Sequence, residues 1–455
     1  MSTRYLKSLF IFRRDLRLFD NTGLNTALRQ SNQVLACFIF DPRQIEAHPY
    51  QSRPALQFML EAQEDLQRQF REQGGRLWLF RGDPETVVAE LRRQQAIEAV
   101  FVNRDYTPFS RLRDAGLAQV CGELGMHFHG IGDALLNEPE DLLKADAMPY
   151  RVFTAFYHKA KEIPVAMPQA LAPGCFVSGQ TDDGGLIEGL KSPHPNPLAG
   201  GRQAVLARLD ALEACRDYSL QRDFPAVSAS SDLSAYLKFG CCSIREAYYA
   251  VLTRLGDGHP LLRQFYWRDF FTHIAFHFPQ VFGQAFVRRY DALAWRNDEE
   301  EFQAWREGRT GFPIVDAGMR QLMQTGMLHN RVRMIVASFL VKDLQIDWRW
   351  GERHFATHLL DYDPCVNNGN WQWAASTGCD AQPYFRIFNP WLQQKKFDAD
   401  CLYIKRWLPE LGPFSAAAIH QCHQKPLICD YPAPIVEHAT RSQQTKAQFR
   451  RVQGE

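Results

Sequence analysis

Four short apolar runs open the chain: SLFIF at 8–12, VLACFIF at 34–40, RLWLF at 76–80 and AVFV at 99–102. Polar segments long enough for helices, such as Pro54 to Gln73, separate them. Runs that stay apolar on successive residues are buried on both faces, so the alternation predicts a parallel sheet flanked by helices. From residue 203 the pattern takes a helical period, with amphipathic stretches at 203–215, 243–255, 260–276, 314–325 and 330–343 that predict an all-α region. Between about Pro164 and Arg202 the chain is rich in Gly, Pro, Ser and Asp without helical period, the composition of a connector. The expected organisation is an α/β domain at 1–135, a connector at 136–202, a helical domain at 203–436 and a charged, frayed tail at 437–455.

One stretch fits neither core nor solvated surface. From Asp361 to Pro390 the chain reads DYDPCVNNGNWQWAASTGCDAQPYFRIFNP, with tryptophans, asparagines, acids and an arginine set among helix formers. On a helix Trp371 and Trp373 point about 200° apart, so one element could serve two neighbours with indole rings. A buried polar side chain without a partner costs about 1 to 3 kcal/mol. A polar, aromatic ligand is therefore one explanation, with Asn367, Asn368, Asp361 and Asp363 as its hydrogen-bonding wall; helix capping and plain core packing is the other.

Composition narrows the field without choosing a function. With 45% hydrophobic and 23% charged residues the chain is ordinary globular material, and neither disorder nor a membrane span fits. A net charge of +1 means that nucleic-acid binding would need a local basic face. The 11 cysteines are irregularly spaced, without zinc-site or disulfide-framework pattern, which points to a reducing cytoplasm. The apolar run Leu9 to Phe12 is too short for a signal segment and meets Arg13, Arg14 and Asp15 at once. No GxGxxG follows the first strand. His273 and His277 lie four apart, a spacing that can bind metal, but without a companion carboxylate motif they are expected to be packing or surface residues and no metal site is expected.

Several segments carry a resemblance. LLRQFYWRDFF (261–271), TGFPIVDAGMRQL (310–322), MLHNRVRMIVASFLVKDLQIDWRWGE (327–352) and DYDPCVNNGNWQWAASTG (361–378) resemble the photolyase and cryptochrome flavoproteins. The likeness extends through FIFRRDLRLFDNTGL (10–24), PYRVFTAFY (149–157) and YSLQRDFPAVSASSDLSAYLKFG (218–240), in family order. The pattern is most similar to microbial class I cyclobutane pyrimidine dimer photolyases. The resemblance implies an α/β antenna domain and a helical domain holding FAD, with light-driven electron transfer from reduced FAD splitting cyclobutane dimers in DNA. It also implies DNA as the partner, a monomer with no obligate protein partner, and a possible second chromophore: methenyltetrahydrofolate, a deazaflavin or a flavin.

Residue roles follow from the same resemblance. Tyr218, Arg222, Ser230, Ser231 and Leu233 match the segment that wraps the FAD phosphates and ribose, where the usual TSRLS reads SSDLS and places Asp232 in a position where a base is common. Arg268, Asn330, Arg333, Asp361, Asp363 and Asn367 match flavin-domain positions, with Asn367 expected at flavin N5. Trp371, Trp348 and Trp295 match a tryptophan relay from flavin to surface. Gln264, Trp267, Asn330, Arg331 and Trp373 match the dimer-binding positions, with Arg386, Lys395 and Lys396 as candidate phosphate contacts. Gln264 stands where cyclobutane-dimer enzymes generally carry Glu and is also familiar in (6-4) photolyases and animal cryptochromes. Asn330, in the sequence His329, Asn330, Arg331, stands where a (6-4) enzyme has its second histidine. Thr107 replaces an acid available to folate-binding members. A cryptochrome photoreceptor and a (6-4) photolyase are the alternatives, and an ordinary flavin oxidoreductase lacks a dinucleotide fingerprint.

Overall fold

The computed structural model describes residues 4–179, 185–192, 196–227, 229–425, 427 and 430–454. By the density of internal contacts the chain divides into two compact units: Met1–Arg216 with Ser231–His277, and Asp217–Ser230 with Phe278–Glu455. The expected boundary near residue 202 is not where this division falls. Residues 231–277 fall in the unit that carries the sheet, and Asp217–Ser230 in the unit of the C-terminal helices.

The first unit is built on five parallel strands, β1 (Tyr5–Phe12), β2 (Ser31–Phe40), β3 (Leu77–Arg81), β4 (Ala99–Asn103) and β5 (His127–Ile131), in the order β3-β2-β1-β4-β5. The register sets Leu9 beside Leu35 and Val100, and Cys37 beside Trp78. Four strands coincide with the four apolar runs. The fifth, HFHGI, escaped the pattern because it lies at the sheet edge with half-exposed positions, where burial does not enforce an apolar run. Helices α1 (Thr22–Gln30), α2 (Arg53–Glu72), α3 (Pro84–Gln95) and α4 (Pro108–Glu123) alternate with the strands, followed by α5 (Phe153–Ala160) and α6 (Pro260–His277). Each of α1 to α4 begins at a side-chain cap, Asn21, Ser52, Asp83 and Thr107, so the position expected to bear on folate binding serves here as a helix cap.

The Gly- and Pro-rich segment is not a free connector. Phe176 pairs with Val34 in a parallel bridge and its ring meets Phe70 edge-on at 4.9 Å, so this part of the chain extends the cover of the sheet. Residues 180–184 and 193–195 of that segment lie outside the described residues.

The second unit is helical: α7 (Glu299–Arg306), α8 (Pro313–Thr325), α9 (Asn330–Ser338), α10 (Trp348–His358) and α11 (Pro364–Ala375) surround a core that includes Trp305, Phe339, Leu340, Trp348, Phe355 and Trp371. A π-helical turn, Phe339–Asp343, follows α9. The C-terminal segment expected to be a frayed tail is instead helix α12 (His438–Gln453), anchored by the buried side chains of Thr445 and Phe449. Its sequence is polar all round but for those few positions, which hid the helix from periodicity.

Candidate active site

Helix α11 organises the second unit's site. Asp363 caps it, its Oδ1 accepting from the backbone N–H of Cys365 at 3.0 Å and Val366 at 3.1 Å, with Pro364 at the first helical position. Just upstream, both carboxylate oxygens of Asp361 accept from Arg333 Nη2, at 3.0 and 2.9 Å, and Arg333 Nε donates to the Leu328 carbonyl at 2.8 Å. The carboxylate is buried and the guanidinium about a quarter exposed, so the pair ties α9 to the entry of α11 while keeping one cationic edge accessible.

The three buried amides of α11 divide by role. Asn368 donates to the Val281 carbonyl at 3.0 Å, and Gln372, one turn on, donates to Val281, Gln284 and Asn368 and accepts from the Phe286 N–H. These two stitch the helix to the 281–286 loop. Asn368, expected in a ligand-facing wall, has its N–H group engaged in that structural bond. Asn367 is buried and donates once, to the Glu352 carbonyl at 3.1 Å.

The tryptophans of α11 do face different surroundings. Trp371 is core, its ring edge-on to Phe355 at 4.9 Å and to Trp305 at 6.2 Å. The approach of α10 to α11 here depends on Gly351, because a Cβ at that position would lie 2.2 Å from Trp371 Cη2. Trp373 is only partly buried. Trp348 is buried in the same core as Trp371, and the half-buried Trp295 packs against that core and against a smaller cluster of Ala285, Tyr290, Leu293 and Phe449. Sequence reasoning missed Trp305 and Phe302, stacked on each other at 5.8 Å, and Trp350, edge-on to Phe302 at 5.1 Å. The spacing Trp348, Trp350 in WRWGE was the available signal.

At the start of α9, His329 is the cap: its Nδ1 accepts from the Arg331 N–H at 3.2 Å, and burial pushes its pKa down to about 4, so it is neutral near pH 7. Asn330 is exposed beside it. Arg331 pairs with Asp223 at 2.8 Å and lies 4.4 Å over the Phe397 ring, while its Nε is buried without a hydrogen-bond partner. Asp223 belongs to the Asp217–Ser230 segment that also carries Tyr218, Arg222 and Ser230, with the Arg222 guanidinium 5.9 Å over the Tyr218 ring. Arg386, Lys395 and Lys396 are exposed.

The remaining candidates belong to the first unit. On α6, Gln264, Trp267 and Arg268 occupy one turn of the helix and all are half-buried. Trp267 stacks on Phe153 at 3.5 Å and 7°, and on Phe271 at 5.5 Å. Arg268 donates to the Ala134 carbonyl at 2.6 Å, and the buried Asp269 next to it takes the Leu136 N–H at 2.7 Å, with burial pushing its carboxyl up to about 7. Leu233 is buried and Ser231 half-buried, and Asp232 has an ion-pair partner in Arg208 at 3.3 Å, which balances the acid that departs from the TSRLS pattern. His273 and His277 each bond a backbone carbonyl, of Asn137 at 2.8 Å and Pro139 at 3.1 Å. Among the described residues no group of three or more His, Cys, Asp or Glu side chains could hold a metal ion.

Residues 8–173 match the family model described as DNA photolyase, and residues 261–451 the one described as FAD binding domain of DNA photolyase. A deoxyribodipyrimidine photo-lyase of Synechococcus sp. is 38% identical, over 98% of this chain and 96% of the relative. Among solved structures, an archaeal photolyase from Sulfolobus tokodaii with two FAD molecules is 43% identical with a TM-score of 0.89, covering 98% of this chain and 100% of that one. A Synechocystis cryptochrome is 29% identical with a TM-score of 0.87, covering 98% of this chain and 99% of that one. With both domains matched in order and more than a third of positions identical along nearly the whole length, this chain belongs to the DNA photolyase family.

Proposed function

We propose that the protein is a deoxyribodipyrimidine photo-lyase that splits cyclobutane pyrimidine dimers in DNA by light. The observation that carries the choice of lesion is the start of α9. A (6-4) repair site needs a histidine pair able to give up a proton. Here His329 is held neutral with its Nδ1 used as a cap acceptor, and Asn330 follows it. Cyclobutane splitting transfers an electron out and back and needs no such acid.

The donor set fits FAD. Hydroxyl and guanidinium groups at Ser230 and Arg222, both exposed, suit pyrophosphate, as does the Ser231 hydroxyl, while Tyr218 and Leu233 supply bulk beside them. Arg333, oriented by Asp361, presents a fixed cation, Arg268 a second one, and the Asn367 amide can hydrogen-bond a ring nitrogen in more than one redox state. Asp363 holds the helix that carries Asn367. Reduced FAD supplies the light-driven electron; the chain's part is to bind, orient and exclude water. Trp371, Trp348 and Trp295 are the proposed relay to the surface. Trp295→Phe should abolish light-driven reduction of the oxidised protein while leaving repair by chemically reduced protein intact.

For the lesion, Trp373 and Trp267 offer aromatic faces, the Gln264 amide can donate to a pyrimidine carbonyl, and Asn330, Arg331, Arg386, Lys395 and Lys396 are the proposed DNA contacts. Enzymes that do chemistry on a base, photolyases among them, take the target out of the duplex stack, and the partly buried Trp373 is the aromatic face proposed to receive it. We infer a monomer with DNA as its macromolecular partner. The described cysteines are all free, which suits a cytoplasmic protein, and no helix among the described residues is long and apolar enough to cross a membrane.

A second chromophore has a natural place in the first unit. In open parallel sheets ligands bind beyond the carboxyl ends of strands where the winding reverses, here β1 and β4. Arg13 and Arg14 follow β1 and Asp105 follows β4, with Arg14 paired to Asp105 at 3.1 Å. Arg13 faces Asp114 at 2.7 Å, but its buried terminal nitrogens lack well-formed hydrogen bonds. Such an arginine pair favours an anionic or phosphate-bearing chromophore.

The deciding experiment illuminates reduced protein with oligonucleotides carrying one thymine cyclobutane dimer or one (6-4) product, with dark controls. Light-dependent repair of the cyclobutane lesion alone is expected. Repair of the (6-4) product alone would overturn the lesion assignment, and repair of neither, with FAD bound, would move the chain to the photoreceptor class.

A further inference from the structure

Helix α12 has 16 residues, yet only Thr445 and Phe449 are buried. Its attachment therefore depends on a few specific contacts rather than on a broad apolar face. Those contacts converge on the π-turn, a local irregularity often associated with function. Lys342, 1% exposed, points its Nζ at the Phe449 ring, 4.1 Å from the centroid, and donates to the Ala375 carbonyl at 3.1 Å and Ser376 Oγ at 2.9 Å, where α11 ends. Thr445 Oγ1 donates to the Lys342 carbonyl at 2.6 Å and accepts from Gln345 at 3.0 Å. The adjacent Asp343, fully buried, bonds His438 at the first position of α12, and its other oxygen has no hydrogen-bond partner.

Around Phe449 the helix also closes the small cluster against which Trp295 packs, with Tyr384 stacked on Phe449 at 5.3 Å and Gln448 donating to the Ala294 carbonyl. We propose that α12 is a releasable lid over Trp295, held down by two adjacent buried ionisable residues of the π-turn, Lys342 and Asp343. What the lid does for function rests on the reading of Trp295 as the outer relay residue: closed, it limits solvent access to that indole, and open, it admits water and reductants. The lid itself does not rest on that reading.

The charges make release depend on pH. Lys342 is faced by Phe449 and by the Ala375 and Ser376 oxygens, and burial pushes its pKa down to about 7. Asp343 is faced by His438, Arg441 and the capping Glu437, and burial pushes it up to about 6 despite the bond to His438. Arg441 is itself tied to Glu301 of α7 at 3.0 Å. Once released and hydrated, Lys returns toward about 10.4 and Asp toward about 3.9. Opening then takes up a proton at Lys342, so it becomes less frequent as pH rises above about 7; opening loses a proton at Asp343, so it becomes less frequent as pH falls below about 6. The lid is loosest near pH 6 to 7.

The test uses the flavin-loaded full chain in the dark. Hydrogen exchange of peptides spanning 438–453, normalised to intrinsic rates, and hydroxyl-radical labelling of Trp295 are followed from pH 6.5 to 9.5. Opening should fall with rising pH, by up to about tenfold per pH unit as one proton requires, and Trp295 labelling should fall with it. Lys342→Met should flatten this limb, and Asp343→Asn should flatten the opposite limb, followed with the same two readouts from pH 6 down to about 4.5. Constant opening in the unmodified protein, or an unchanged slope in Lys342→Met, would overturn the proposal. Neither readout involves repair, so failure of the lid and failure of the lyase assignment remain distinguishable.

Discussion

Two clusters, one in each unit, treat buried charge in opposite ways. In the first, Asp133 is gripped by Arg17 at 2.6 Å and Arg245 at 2.8 Å, Arg245 also reaches Asp20 at 2.9 Å, and Ser243 completes the set with a bond to Asp20. Burial works against ionisation of Asp133, yet the two guanidinium groups outweigh it and hold the carboxyl below the usual carboxylate range. In the second unit Arg333 keeps an exposed edge, Arg331 has an unpartnered Nε, and Lys342 is buried with no carboxylate opposite. A nearly saturated network holds a scaffold, whereas charges left partly unsatisfied mark where a ligand or a motion completes them.

If that contrast is right, the largest effect of a single substitution on stability belongs to the saturated network. Arg17→Met leaves Asp133 with one guanidinium instead of two, beside its bonds from Thr22, and should cost about 3 to 5 kcal/mol. Urea unfolding monitored by circular dichroism reads this directly, and a loss under 1 kcal/mol would deny the network its structural role. The pH sign follows from the depressed Asp133 pKa: its contribution is present above the ordinary carboxylate pKa of about 3.9 and is lost as pH falls through the lower folded value.

Substitution at the second unit's pair should be milder for the fold and more costly for the cofactor. Arg333→Met removes charge-assisted bonds to a partly accessible pair, about 1.5 to 3 kcal/mol. Flavin retention after gel filtration should fall more than thermal stability does. Equal loss of both would class Arg333 with Arg17. Trp373→Ala should weaken binding to dimer-containing DNA by about 1 to 3 kcal/mol without changing affinity for undamaged duplex. An equal loss on both DNAs would remove Trp373 from lesion recognition.

What was legible in the sequence follows the same division. Strands buried on both faces announced themselves as apolar runs, and β5 did not, because an edge strand needs no such run. The tryptophans of α11 were visible as a spacing, but burial decides which is core, and that depends on Gly351 in another helix. Asn367 and Asn368 are adjacent and chemically identical, and each donates to a backbone carbonyl, of Glu352 and of Val281; what sets Asn368 apart is that its oxygen also accepts from Gln372, which ties it into the bonds that hold the 281–286 loop. The Asp223 partner of Arg331 and the Arg208 partner of Asp232 lie 108 and 24 residues away, too far for any local pattern to announce. Helix α12 was misjudged because a helix fastened by two buried side chains carries almost no amphipathic signal.

The smallest expected effect concerns Gln264, where this chain departs from the usual glutamate. Gln264 is half-buried one turn before Arg268 on α6, and its amide donates hydrogen bonds at any pH. In Gln264→Glu the side chain can donate to a pyrimidine carbonyl only when protonated. As a carboxylate it offers acceptors alone, opposite another acceptor. Affinity of the variant for dimer-containing DNA should therefore fall as pH rises through the carboxyl range, by about 1 kcal/mol or less, while the unmodified protein shows no such dependence from this residue. Fluorescence anisotropy at fixed ionic strength, which holds the phosphate contacts constant, isolates the difference. Parallel pH profiles for the two proteins would mean that Gln264 packs beside Trp267 without touching the lesion, and would place it with the saturated scaffold rather than with the groups waiting for a ligand.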